Sequence, residues 1–135
     1  MSDLQKEYNE LSLYTLSLND KGFIHQNIVD TFIAQNADSN TKNIALFFSV
    51  IGLYLYIEKG YSGKEIQDLH TKIANTKKEL PKLKIPKEKA TITISNVLEA
   101  RSEIERNEKI KEWSASVWEI FKDQKDIIEN FLREY

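Results

Sequence analysis

Apolar residues recur along this chain at intervals of three and four, the spacing that places side chains on one face of an α-helix. Leu4, Tyr8, Leu11, Thr15 and Leu18 share one face of a first predicted helix. Phe23 to Gln35 forms a second, with Phe23, Ile24, Ile28, Val29 and Phe32 in its stripe. Thr41 to Lys59 is apolar nearly all round, which marks it as the central, buried helix. Gly63 to about Lys78 forms a fourth, facing inward through Ile66, Leu69 and Ile73. Near the C-terminus Ile110, Trp113, Val117, Ile120, Phe121, Ile127, Ile128, Phe131 and Tyr135 keep one phase. That predicts one long helix, or two nearly collinear ones broken at Asp123.

Punctuation supports these elements. Ser2 to Gln5, Ser62 to Glu65 and Ser102 to Glu105 fit the capping-box pattern, and Asp20, Ser39 and Thr93 are further N-cap candidates. Gly60 stands where a helix C-terminus favours a left-handed residue. The irregular stretch Leu80 to Ile92, bounded by Pro81 and Pro86, is followed by a short helix around Ser95 to Ala100. The fold class is therefore all-α: a compact bundle of five to seven helices, with a long Lys/Pro-containing loop and a long C-terminal helix.

The chain has 135 residues, enough for one helical domain, 1–135, without metal or disulfide staples. It has no cysteine, which excludes disulfides, thiolate nucleophiles and cysteine-based zinc sites, and which suits a reducing cytoplasm. The first residues carry no basic region followed by an apolar block, so no signal peptide is expected. The fourteen-residue apolar run Ile44 to Ile57 falls short of the roughly 18 to 20 residues that span a bilayer. The expectation is a soluble cytoplasmic protein.

A net charge of −2 gives no global attraction to nucleic acid or anionic lipid. Lys77 to Lys89 is locally basic, at +4 from six lysines and two glutamates, but lacks arginine and an interleaved aromatic. Lys82 to Ile85 alternates polar and apolar, so this loop should lay Leu83 and Ile85 on the bundle and show lysines to water. Neither nucleic acid nor membrane is an expected partner.

Chemistry is hinted at only by the two histidines, His25 and His70, both on apolar stripes. An imidazole there needs a hydrogen-bond partner or a metal, or must be held neutral. Gln35, Tyr14, Tyr54 and Tyr56 are the nearest candidate partners for a structural histidine. Alternatively, His25 and His70 with Glu58 could supply a divalent-metal site for zinc or iron. Asp30 lies about 140° from His25 around the helix and does not share its face. There is no nucleophile elbow and no Gly-rich phosphate loop.

The segment Phe23-Ile-His-Gln-Asn-Ile-Val-Asp-Thr-Phe-Ile-Ala-Gln35 carries an F-x-H-x-x-x-V-D-x-(Y/F)-x-x-Q core. With Tyr8 to Leu16, Val50 to Glu58, Leu69 to Ala74, Asn96 to Ala100 and Trp113 to Trp118, it resembles a family of small bacterial helical proteins of unknown function. The resemblance assigns no reaction. It implies a histidine-rich, metal-binding ancestry from which this chain departs, with Asn9, Leu18, Asn27, Asn36 and Tyr56 where relatives often carry histidine.

Three readings of function follow. The first is a non-catalytic protein that binds a small ligand or a protein partner, with no cofactor or metal expected and with His25, His70, Glu58 and Gln35 as its candidate site residues. The second is a metal-dependent helical-bundle enzyme, a DinB-like hydrolase or transferase, using His25, His70 and Glu58. The third is a homodimeric scaffold on the C-terminal helix, with Trp118 at the interface. Trp118 lies about 140° from Trp113, so it must pack on another element or stand exposed. Whether the chain is an enzyme is left open.

Overall fold

The computed structural model describes residues 2–135. Its order is α1 (Asp3–Ser17), α2 (His25–Gln35), α3 (Asn43–Lys59), α4 (Gly63–Thr76), α5 (Ile94–Leu98), α6 (Glu103–Phe121) and α7 (Lys125–Leu132). A 3-10 turn over Lys122–Gln124, spanning the expected break at Asp123, joins α6 to α7. No strand occurs among the described residues, and no helix is long and apolar enough to cross a membrane.

Helix α3 is the axis. It buries side chains on every side, from Leu46 and Phe47 through Val50, Ile51 and Leu53 to Leu55, and packs against α2, α4 and α6. Trp113, Val117 and Phe121 of α6 and Ile128 of α7 complete the core with Leu11, Ile28, Ile66 and Ile73. Burying a side chain of this size removes about 1.5–3 kcal/mol of unfavourable hydration. That is why one apolar stripe per helix suffices to assemble the bundle.

Local signals set most helix ends. Ser62 and Glu65 form a complete capping box at α4, and Thr93 and Asn96 form another at α5. Ser2 and Ser102 cap through their hydroxyls alone, because Gln5 turns to Asn9 and Glu105 accepts from the Arg101 N–H instead. Gly60 closes α3 at a φ of +71°.

Two starts differ from the sequence expectation. Phe23 is not helical: it holds a φ of +54°, and α2 begins at His25. A tertiary splice imposes this, since the Gly22 carbonyl accepts from the Lys64 N–H at 2.9 Å and the Phe23 carbonyl lies where a Cβ at Gly63 would stand. Ser39 caps nothing. Asp38, Asn40 and Thr41 close a turn of their own, and α3 starts at Asn43 behind Lys42.

The loop between α4 and α5 is held by side-chain amides. Asn43 donates to the Pro81 carbonyl and accepts from the Leu83 N–H, at 3.0 and 3.1 Å. Gln124 accepts from the Lys84 N–H and donates to the Lys84 carbonyl, both at 2.8 Å. Leu83 is buried as expected, whereas Ile85 stays 39% exposed.

Candidate functional site

The candidate residues do not converge on one centre. His25, at the first turn of α2, places Nδ1 2.9 Å from Thr15 Oγ1, and that hydroxyl donates to the Ser12 carbonyl. With the hydroxyl proton committed, His25 must donate through Nδ1, leaving Nε2 as the basic nitrogen. Partial burial lowers its pKa, which favours the neutral ring.

His70 lies on α4, its ring edge-on to Phe48 at 5.0 Å between centroids. Burial pushes the imidazole down to about 4, against a weaker opposing hydrogen bond to the Phe48 backbone. His70 Nε2 is buried and without a partner.

Gln35 is not the partner of His25. It sits ten residues further along α2, about 15 Å at the helical rise. There its Oε1 accepts from Trp113 Nε1 at 2.7 Å while its Nε2 donates to the Ile92 carbonyl at 2.8 Å. Tyr14 and Tyr54 are also engaged elsewhere, donating to Asn107 and Glu129 respectively.

Glu58 accepts from Trp118 Nε1 and from Lys125 Nζ, each at 2.7 Å. Lys125 is the main reason its carboxyl is held below the usual range. Trp118 is thus buried, at 3% exposure, and offers no apolar surface to a second copy. Among the described residues, no group of three or more His, Asp or Glu is placed to hold a metal ion, so His25, His70 and Glu58 stay apart.

What the fold does assemble is a cleft of about 570 Å³ between the C-terminal end of α3, α4 and α7. Its walls include Tyr54, Tyr61, Tyr135, Leu55, Leu69 and Leu132, with Lys59, Arg133 and Glu129 at the rim. The Tyr54 hydroxyl donates to Glu129 Oε2 at 2.9 Å, and burial together with that carboxylate raises its pKa to about 12. The Lys59 ammonium stands 5.9 Å from the Tyr54 ring centre, and the Trp118 ring packs on the same tyrosine at 5.7 Å. Arg133 makes no hydrogen bond or ion pair among the described residues.

Sequence reasoning missed this cleft, although the stripe ending at Phe131 and Tyr135 signalled that α7 packs against the bundle. It also placed Asp30 only off the face of His25 and did not foresee its burial. That carboxyl is 3% exposed, accepts from Gln26 Nε2 at 3.1 Å through Oδ1, and leaves Oδ2 without a partner. Burial raises its pKa well above the ordinary carboxylate value.

An all-helical bundle with a cleft walled by tyrosines and leucines is the class these features define. The chain belongs to a family of unknown function (DUF5946), which matches residues 5–122. No curated protein and no solved structure matches it. The α7 wall of the cleft (Lys125–Leu132) lies beyond the matched residues.

Proposed function

We propose that this chain is a non-catalytic binding protein, a single helical domain that holds a small amphiphilic anion in the cleft between α3, α4 and α7. The supporting observation is the pairing of chemistries in that cleft. Leucines and tyrosines line its walls, while Lys59 and Arg133 stand at the rim with no ion pair among the described residues. Pockets of this volume with apolar walls and a few oriented polar groups suit small organic ligands. A cation beside an aromatic wall suits a carboxylate or sulfonate attached to a flat or aliphatic body.

The binding reading is favoured over the metal-enzyme reading because the three candidate ligands are not brought together among the described residues, and each keeps contacts of its own. Glu58 is taken by Trp118 and Lys125, His25 by Thr15, and His70 is held against Phe48. No cofactor is required on this reading. A cytoplasmic location fits the cysteine-free composition.

The test is titration with anilinonaphthalene sulfonate, following dye emission and the fluorescence of Trp118, which packs on the cleft wall through Tyr54. Saturable 1:1 binding is expected, weakened about tenfold by Lys59→Ala and by Arg133→Ala, since each removes one charge-assisted contact. Equal affinity in the double variant, or no saturable binding of this dye and of simple aromatic carboxylates, overturns the proposal.

A further inference from the structure

The segment between Lys84 and Ile92 is hydrogen-bonded at both ends, and between them it is held by packing, with Ala90 against the core, rather than by hydrogen bonds. Gln124 grips both backbone groups of Lys84 at 2.8 Å. At the other end the Ile92 carbonyl accepts from Gln35 at 2.8 Å and its N–H reaches Ser116 Oγ at 3.4 Å. Among the described residues, positions 85–91 make no hydrogen bond or ion pair of their own. Backbone without internal or tertiary hydrogen bonds resists displacement least.

Beneath this strap is a second cavity, of about 440 Å³. Its floor includes Ala34, Ile94 and Ile120, and the strap contributes Ile85, Pro86 and Ala90. The polar groups there hold no unmet demand for an ion. Gln35 has both amide ends bonded, Ser95 donates to Glu7, and the exposed Glu88 and Lys89 are opposite charges on the strap itself. Ile85 adds the third observation. Its alternation with Leu83 marks it for burial, yet it stays 39% exposed above the cavity. Apolar area left in water beside an unfilled apolar space favours either closure or an apolar guest, at roughly 25 cal/mol per Å² covered.

We infer that the cavity under residues 85–91 is a binding site for a small neutral, mainly apolar molecule, and that the strap is its gate. The fixed points at Lys84 and Ile92 act as hinges, and closure over the guest buries Ile85. Apart from Leu4, the lining residues lie within the span shared with the family, whereas the α3–α4–α7 cleft draws on α7 beyond it.

The probe is N-phenylnaphthylamine, a neutral fluorophore, and the gate carries its own reporter in two trypsin-sensitive lysines, Lys87 and Lys89. We expect saturable 1:1 binding that slows cleavage after Lys87 and Lys89 at least threefold. Ala90→Leu, which fills the cavity from the half-buried strap, should abolish that binding with the melting temperature unchanged, and Lys59→Ala should leave it intact. Binding that survives Ala90→Leu overturns the site. Cleavage at an unchanged rate in saturating probe, measured on the parent protein, overturns the gate.

Discussion

The carboxyl of Asp30 occupies the space that a side chain at Gly52 would need. A Cβ at Gly52 would collide with Asp30 Oδ2 and Cγ, so α2 and α3 approach each other at this point with an acid from one set into the notch of the other. No local pattern in either helix announces this contact. It explains why a glycine is retained in the middle of the most apolar helix, where it costs about 1 kcal/mol relative to alanine.

Gly52→Ala should therefore destabilise the protein, by about 1–3 kcal/mol, because the added methyl meets the short, buried Asp30 side chain, which has little room to move aside. Urea denaturation measures it. The double variant with Asp30→Ala should recover much of the loss, giving a coupling energy of at least about 1 kcal/mol. Strict additivity of the two substitutions would show that the two residues do not share one space.

Asp30 also sets a pH dependence. Its folded-state pKa is raised by burial, so the native state holds a proton that the unfolded chain releases near its ordinary value of about 4. Stability from this group is complete below that value and falls as pH rises toward the folded pKa. Asp30→Asn keeps an oxygen for Gln26 and removes the titration. Relative to the parent, the variant should gain stability steadily above about pH 4, read from denaturation midpoints. A constant difference across that range would mean Asp30 is ionised as readily in the native state as in the unfolded one.

His70 acts with the opposite sign in an overlapping window. Its folded-state value near 4 lies below the ordinary 6.5, so the unfolded chain binds the proton first as pH falls. Stability present above about pH 6.5 is lost on descent to about pH 4, by up to roughly 3 kcal/mol. His25, lowered in the same direction, adds to the slope. His70→Gln should flatten most of this acid limb. Measuring it in an Asp30→Asn background separates the two groups, and an unaltered limb would place the titration elsewhere.

Helix identity was legible because it depends on local information. The Ser62–Glu65 box, Thr93, Gly60 and the stripe from Ile110 to Tyr135 each act within a few residues of where they are read. Phe23 and Ser39 misled because a contact from Gly63 and Lys64, and a competing turn at Asp38, decided their conformations. The same distinction holds for the candidate residues. Glu58 and Gln35 could be singled out, but their indole partners lie 60 and 78 residues away, and only the packed fold pairs them.

Gln35 shows how much one such pairing carries. Its amide is the only described link that joins α2 to the Trp113 indole and to the Ile92 carbonyl together, so it fastens α6 and one hinge of the strap to the same point. Gln35→Ala leaves a buried indole N–H and a loop carbonyl without their partners and should cost about 1–3 kcal/mol. Gln35→Glu restores only the acceptor and should recover the Trp113 contact while leaving Ile92 loose. Two readouts keep the effects apart. Global stability from urea denaturation should recover in Gln35→Glu, whereas trypsin cleavage after Lys89 should stay accelerated in both variants. Equal rescue of both readouts by glutamate would show that the Ile92 anchor does not restrain the strap.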